Sequence, residues 1–470
     1  MDVINNTLFD CRDRHVAKVD RLLNHTAVVT YSPINCPRRS YTNLISLQLN
    51  ASLERTPSTL IINSMATTTL TDFRFPWREG NAFRLLLDGD QFFPVMLSAI
   101  DSADTYLALN MYLMSSGSVA DRFIDALLRA AQRGVSIHII LDDYGASSLQ
   151  TKDRERLNHK NIHLTFYNPI RYGDWFNNLF RDHRKLLLLD GRVAFVGGVG
   201  ITDDFDPIDN KALRWRETVI EIKGPCVDDW RSLFVESWPI QDTTPILPSC
   251  PSLYQGQAPD SEQSPNQIGR VTRSQATTRQ EIRRSVNRHL HGAEHRVWIA
   301  TAYFVPSWRM HRALRKAALR GVDVRLLLPG EHTDHPAIRH AGRRFYYKLL
   351  LSGVRIFEYQ PRFSHSKIML CDQWSTIGSS NFDRWNLVWN LEANQEIDDS
   401  DFARSVKQLF NDDFKQCAEI ELKAWCERPW HRRCLEWYWG WIDALLYRFS
   451  MHWRRRHRAR HRTDQQKKNS

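Results

Sequence analysis

Two segments of the chain carry the pattern H-x-K-x4-D. One runs from His183 through Lys185 to Asp190, the other from His365 through Lys367 to Asp372. In an extended strand, residues i and i+2 project from the same face, so each imidazole stands beside an ammonium. Such a pair suits a phosphate. The lysine supplies a point charge to the non-bridging oxygens, and the histidine supplies a nucleophile or a proton. The residues after each lysine, Leu186 to Leu189 and Ile368 to Cys371, are apolar and carry the strand into a core. A single pair of this kind would read as a solvated surface. Two pairs at matching places in a duplicated unit do not.

The duplication is visible beyond the motifs. Leu128 to Val135 (LRAAQRGV) runs into the apolar stretch Ile137 to Leu141, and Leu314 to Val322 (LRKAALRGV) runs into Val324 to Leu328. Each predicts an amphipathic helix stopped by glycine and followed by a buried strand. Alternating strands at Ile162 to Tyr167 and Val354 to Tyr359 then precede the two histidines, across loops of different length. Helices and strands that alternate twice over predict an α/β fold of two pseudo-symmetric sandwich domains with mixed sheets. If the halves pack about a pseudo-twofold axis, both His–Lys pairs meet in one cleft at the domain interface. One imidazole then attacks phosphorus and the other protonates the leaving alcohol, while the lysines and Asn381 neutralise charge on the pentavalent transition state.

Each histidine also needs an acid to fix its tautomer. Glu217 and Glu392 follow their histidines in corresponding strand-like segments and are expected in that role. Asp190 and Asp372 close their strands, where either a turn-stabilising or a catalytic part is open to them. A cation beside lysine would be repelled, and no other group of ligand residues stands in the sequence, so no metal or cofactor is expected.

With the paired motifs, Gly197-Gly198, Gly378-Ser379-Ser380-Asn381 and Asn390-Leu391-Glu392-Ala393-Asn394, the chain resembles the phospholipase D superfamily. Within it, Trp77-Arg78-Glu79-Gly80-Asn81 and Ala302-Tyr303-Phe304-Val305-Pro306 are similar to segments of the bacterial cardiolipin synthases of the B type. The resemblance spans roughly Trp77 to Asp412. It implies an active-site set of His183, Lys185, Asp190, His365, Lys367 and Asp372. Where many relatives have a first-half asparagine this chain has Gly200, so only Asn381 keeps that amide. The implied reaction is phosphatidyl transfer between two phosphatidylglycerol molecules through a phosphohistidine on His183, giving cardiolipin and glycerol. Hydrolysis to phosphatidic acid, cleavage of nucleic acid, and a non-catalytic membrane-binding role are the rivals.

Charge separates these. The net charge is +11, yet from Arg428 to Ser470 there are 12 lysines and arginines against 3 acids, which leaves the body near neutral. A basic tail on a neutral body argues for tethering and against nucleic acid. Tyr438, Trp441, Ile442, Leu445, Leu446 and Phe449 share one helical face, with Glu436, Gly440, Asp443, Tyr447 and Ser450 opposite, and arginines crowd Arg454 to Arg462. This pattern predicts an interfacial helix that seats residues 436–462 on anionic lipid, with docking on the enzyme's own core as the alternative. Eight cysteines without a C-x-x-C pair suit a reducing compartment. A peripheral place on the cytoplasmic face of a bacterial inner membrane follows.

The expected organisation is an extension over 1–74, a first domain over 75–240, a linker or insertion over 241–282, a second domain over 283–412, and a helix with basic tail over 413–470. The extension lacks periodicity, and Met65-Ala66-Thr67 within it reads as a plausible translation start.

Overall fold

The computed structural model describes residues 73–173, 177–239, 247, 266–275, 279–384, 389–431 and 433–448. The expected extension 1–74 lies almost wholly outside the described residues, as do Phe449, Ser450 and the arginines of the tail.

The first half contributes β1 (Arg78–Leu87), β2 (Tyr106–Met111), β3 (Ser136–Asp142), β4 (Ile162–Tyr167), β5 (Lys185–Leu189), β6 (Val193–Gly197) and β7 (Thr218–Lys223). β8 (Gln267–Gln275), with the short β9 (Arg279–Gln280) folded back on it, leads into the second half. There follow β10 (Arg296–Ala300), β11 (Asp323–Pro329), β12 (Arg355–Tyr359), β13 (Ile368–Cys371), β14 (Trp374–Gly378), β15 (Leu391–Asp398) and β16 (Cys417–Glu419).

Strand order makes the duplication explicit. The first half runs β7-β6-β5-β2-β3-β4 and the second runs β15-β14-β13-β10-β11-β12. In each, the last three strands are parallel and the others antiparallel. The sheets are therefore mixed, as the alternating pattern predicts. β8 pairs with both β15 and β1, so it joins the two sheets.

Three apolar clusters hold these layers. Phe92, Phe123 and Leu127 cover the outer face of the first sheet, and Leu290, Leu314 and Leu349 do the same for the second. A shared central cluster draws Leu188 and Ile220 from one sheet, Leu370 and Ile397 from the other, and Trp230 and Phe410 from intervening helices. Each fully buried side chain of this size contributes roughly 1.5–3 kcal/mol. The helices Ser118–Gln132 and Trp308–Leu319 stop at Gly134 and Gly321, whose φ values of +98° and +93° suit a residue without Cβ.

Two domain boundaries are corrected. The expected linker 241–282 contains β8, which is nearly all buried inside the sheet, and the second half extends through β16, which pairs with β12. The halves are also tied by ions. Asp88 meets Arg216 and Arg362, and Arg216 meets Asp413, all nearly buried.

Candidate active site

β5 and β13 are the central antiparallel strands of their halves, and each histidine stands just before its strand. The backbone continues across the domain interface rather than within one domain. The amide of His183 donates to Leu391 O at 3.0 Å, and that of His365 donates to Arg216 O at 2.8 Å. Because residues 391 and 216 immediately precede the two glutamates, each histidine acquires the carboxylate of the opposite half. His365 Nδ1 is 2.7 Å from Glu217 Oε2, and His183 Nδ1 is 3.0 Å from Glu392 Oε1 in a less well-aligned contact. Both glutamates are fully buried. The expectation that each would serve the histidine of its own half is thus corrected: the pairing is crossed.

The lysines obey the twofold. Lys185 Nζ donates to His183 O at 2.6 Å, and Lys367 Nζ donates to His365 O at 2.6 Å. Lys185 also lies 4.9 Å from the centre of the Tyr112 ring. His183, Lys185 and His365 line a single cavity of about 730 Å³, together with Tyr112, Trp215 and Tyr303. Burial dominates the electrostatics. It pushes Lys185 down to about 7, lowers His183, and lowers His365 well below the usual imidazole range. It raises Glu217 to about 7, against the attraction of Lys367.

Gly198 and Ser379 occupy equivalent places but treat the glutamates differently. A Cβ on Gly198 would lie 2.2 Å from Glu217 Oε2, so only glycine leaves room for that carboxylate. Ser379 instead donates its hydroxyl to Glu392 Oε2 at 2.5 Å. Asn381 is fully buried, with Oδ1 accepting from the Thr301 hydroxyl at 3.4 Å, and its Nδ2 has no hydrogen-bond partner among the described residues.

The two aspartates are not gathered with the other motif residues, and their expected place in the catalytic set is corrected. Five residues beyond its lysine along a strand, each stands roughly 16 Å away. Asp190 accepts from the amides of Asp104, Thr105 and Tyr106 and from the Thr105 hydroxyl, and Asp372 accepts from the amides of Glu294, His295 and Arg296. Both adopt positive φ, 52° and 53°. They clamp a turn onto the start of the neighbouring strand. Asp190→Ala should therefore destabilise the fold by about 3 kcal/mol in urea unfolding, with turnover per folded molecule unchanged. Burial opposes charge on Asp190, but the Thr105 hydroxyl and the amides outweigh it and its pKa falls below the usual value. Its stabilisation is complete above the ordinary carboxylate range and is lost as pH falls through the depressed value. Equal stability of the variant at neutral pH would refute this role.

Tyr112, Trp215 and Tyr303 were not singled out as site residues in the sequence. The available signal was the duplication, since Tyr112 and Tyr303 each follow the central strand that pairs with the motif strand.

With this geometry in view, similarity to known proteins can be placed on residues. The family described as cardiolipin synthase, PLD-like domain, matches residues 96–233 and 286–414. The chain belongs to this phospholipase D-like family. Cardiolipin synthase B of Salmonella typhimurium is 33% identical over 368 residues, covering 75% of this chain and 86% of that protein. Cardiolipin synthase B of Escherichia coli is 32% identical over 360 residues, with the same shares. In fold, the chain is similar to phosphatidylserine synthase of Haemophilus influenzae, with TM-score 0.59 and 13% identity over 77% of this chain and 93% of that one. The two family matches coincide with the two sheets, each of which brings one histidine to the cavity.

The last described helix, over 433–448, meets the body with the side opposite to that expected for core docking. Glu436 and Asp443 are turned inward, bonded to Arg343 and Arg428 and to Arg344 and Arg384 respectively. Trp437 and Trp441 face outward and are exposed by 71% and 53%. The same helix lends Trp439, Ile442 and Leu446 to the wall of the cavity. No helix among the described residues is long and apolar enough to cross a membrane.

Proposed function

We propose that the chain is a phosphatidyltransferase that converts two phosphatidylglycerol molecules into cardiolipin and glycerol. The observation that supports it best is the pair of crossed His–Glu contacts facing one cavity, backed by the relatives described as cardiolipin synthases. With Nδ1 turned to Glu392, His183 presents Nε2 to phosphorus. Its lone pair forms the P–N bond as the P–O bond to glycerol breaks, and His365, entering as the imidazolium that Glu217 and the bound phosphate favour against burial, donates the proton that the leaving oxygen takes. His365 then removes the proton from the headgroup hydroxyl of a second phosphatidylglycerol. That oxygen attacks phosphorus and His183 leaves. Lys185 and Lys367 neutralise the equatorial oxygens, Glu392 and Glu217 hold the imidazolium forms, and the Asn381 amide orients the site.

An arginine-rich tail beyond a helix with an outward aromatic face supports peripheral attachment through 436–462 to an anionic bilayer, on the cytoplasmic side. Apolar residues of the same helix at the cavity wall would let acyl chains remain in lipid while the phosphate reaches the histidines. Expression in cells that lack cardiolipin tests the reading. Cardiolipin should appear with the native chain, whereas phosphatidic acid alone would show a hydrolase and cleaved DNA without lipid products would show a nuclease.

Lys185 sets a pH dependence. Its ammonium is needed on the free enzyme, and with a pKa of about 7 the charge is lost as pH rises through neutrality. kcat/KM should therefore fall above about pH 7, and the falling limb should move to higher pH in Lys185→Arg, whose guanidinium stays charged. A limb that stays in place in that variant would assign it to another group.

A further inference from the structure

The helix over 433–448 separates two cavities. One is the catalytic cavity. The other, of about 630 Å³, lies on its far side and is lined by Arg343, Arg344, Arg428 and Arg433 together with Trp437 and Trp441. Of the carboxylates, only Glu436 lines it, so cations outnumber anions there. Arg344 donates to the carbonyl of Gly440 and pairs with Asp443, while Arg428 stacks 3.0 Å from the Trp425 ring centre and pairs with Glu436. Arg343 is paired with Glu358 and Glu436 as well, so these three guanidinium groups are held by carboxylates, while Arg433 has no ion-pair partner among the described residues. Burial lowers Arg344 and Arg428 despite the carboxylates, and Arg433 is exposed beside them. Tryptophans 71% and 53% exposed form the outer rim.

We infer that this second cavity is a binding site for the phosphate headgroup of an anionic bilayer lipid that is held but not transformed. Planar guanidinium forks match phosphate oxygens, and exposed tryptophans suit the headgroup level of a bilayer. The site commits to lipid rather than to a free phosphate ester because its rim is continuous with the outward apolar face of the helix. A headgroup seated there fixes that helix against the membrane, with the catalytic cavity on its other side. The inference rests on the phospholipid-processing reading only for the identity of the surface. No residue of the catalytic cavity's polar floor takes part.

The test is sedimentation with phosphatidylcholine vesicles, with and without phosphatidylglycerol. Arg433→Ala should weaken binding to the anionic vesicles about fivefold. Arg404→Ala, which removes an exposed cation of the helix Ser400–Phe414, should leave it unchanged. Turnover of a short-chain, monomeric phosphatidylglycerol should be the same in native protein and Arg433→Ala. Equal vesicle binding by native protein and Arg433→Ala, or an equal loss in Arg404→Ala, would overturn the site. Binding of glycerol phosphate in solution that is abolished by Arg433→Ala, without any preference for anionic vesicles, would overturn its assignment to lipid. Absent turnover by the native protein with intact vesicle binding would instead remove the proposed reaction and leave the headgroup site standing.

Discussion

Replacing His183 with alanine is expected to lower cardiolipin formation by at least about four orders of magnitude while the protein remains folded. His365 remains in the cavity, but one imidazole cannot serve as nucleophile and proton donor in the same step. Lys185 is committed to the carbonyl of His183 and to the phosphate charge, and Tyr112 is kept protonated by burial. The fold should survive because Glu392 retains the hydroxyl of Ser379 and the backbone contact to Leu391 does not involve the imidazole. Lipid mass spectrometry gives the rate, and an unchanged thermal midpoint checks the fold. Activity within tenfold of the native chain would exclude His183 from the reaction.

The crossed pairing yields the second large effect. Glu392→Gln and Glu217→Gln should each lower turnover by about 10²- to 10⁴-fold, since each loses the charge that stabilises an imidazolium. Their consequences should nevertheless differ. Glu392 serves His183, so its loss should suppress formation of the phosphohistidine. Glu217 serves His365, so its loss should slow the resolution of a phosphohistidine that has already formed, provided that the substrate carries a good leaving group. Intact-protein mass under alkaline conditions, where phosphohistidine survives, reads this directly. The adduct should accumulate in Glu217→Gln and be absent from Glu392→Gln. The opposite pattern would mean that each acid acts within its own half, or that the nucleophile is His365.

Much of this arrangement was legible in the sequence because it follows from local periodicity. The helix-Gly-strand repeats around Gly134 and Gly321 depend on residues a few positions apart, and so do the His–Lys pairs. The crossed contacts were not legible. They depend on strand ends that meet across the interface, at Asp182 with Leu391 and Arg216 with Ser364, and no spacing within one half encodes that encounter. β8 was hidden for another reason. Its sequence, QIGRVTRSQ, has the polarity of a linker, yet Arg270 and Arg273 are nearly buried, opposite Glu396 and Glu236, and Phe73 stacks on Arg270. Ion pairs there let a polar segment occupy the interior.

The C-terminal helix shows a similar limit. Its amphipathic pattern was plain, but the pattern does not say which face meets the protein. Arg343, Arg344, Arg384 and Arg428 decide it by drawing in Glu436 and Asp443. Of the apolar side, Trp441 is left exposed while Ile442 and Leu446 reach the wall of the catalytic cavity. The aspartates Asp190 and Asp372 repeat the lesson at smaller scale, for membership in a motif placed them beside the chemistry and strand geometry placed them at its far end.

Two imidazoles acting in turn on one phosphorus atom should invert its configuration twice. The decisive measurement is the stereochemical course with a phosphatidylglycerol analogue made chiral at phosphorus by sulfur and oxygen isotopes. Net retention in the product is expected, because displacement by His183 and displacement of His183 each invert the centre. Net inversion would show direct transfer between the two lipids and leave no place for the phosphohistidine.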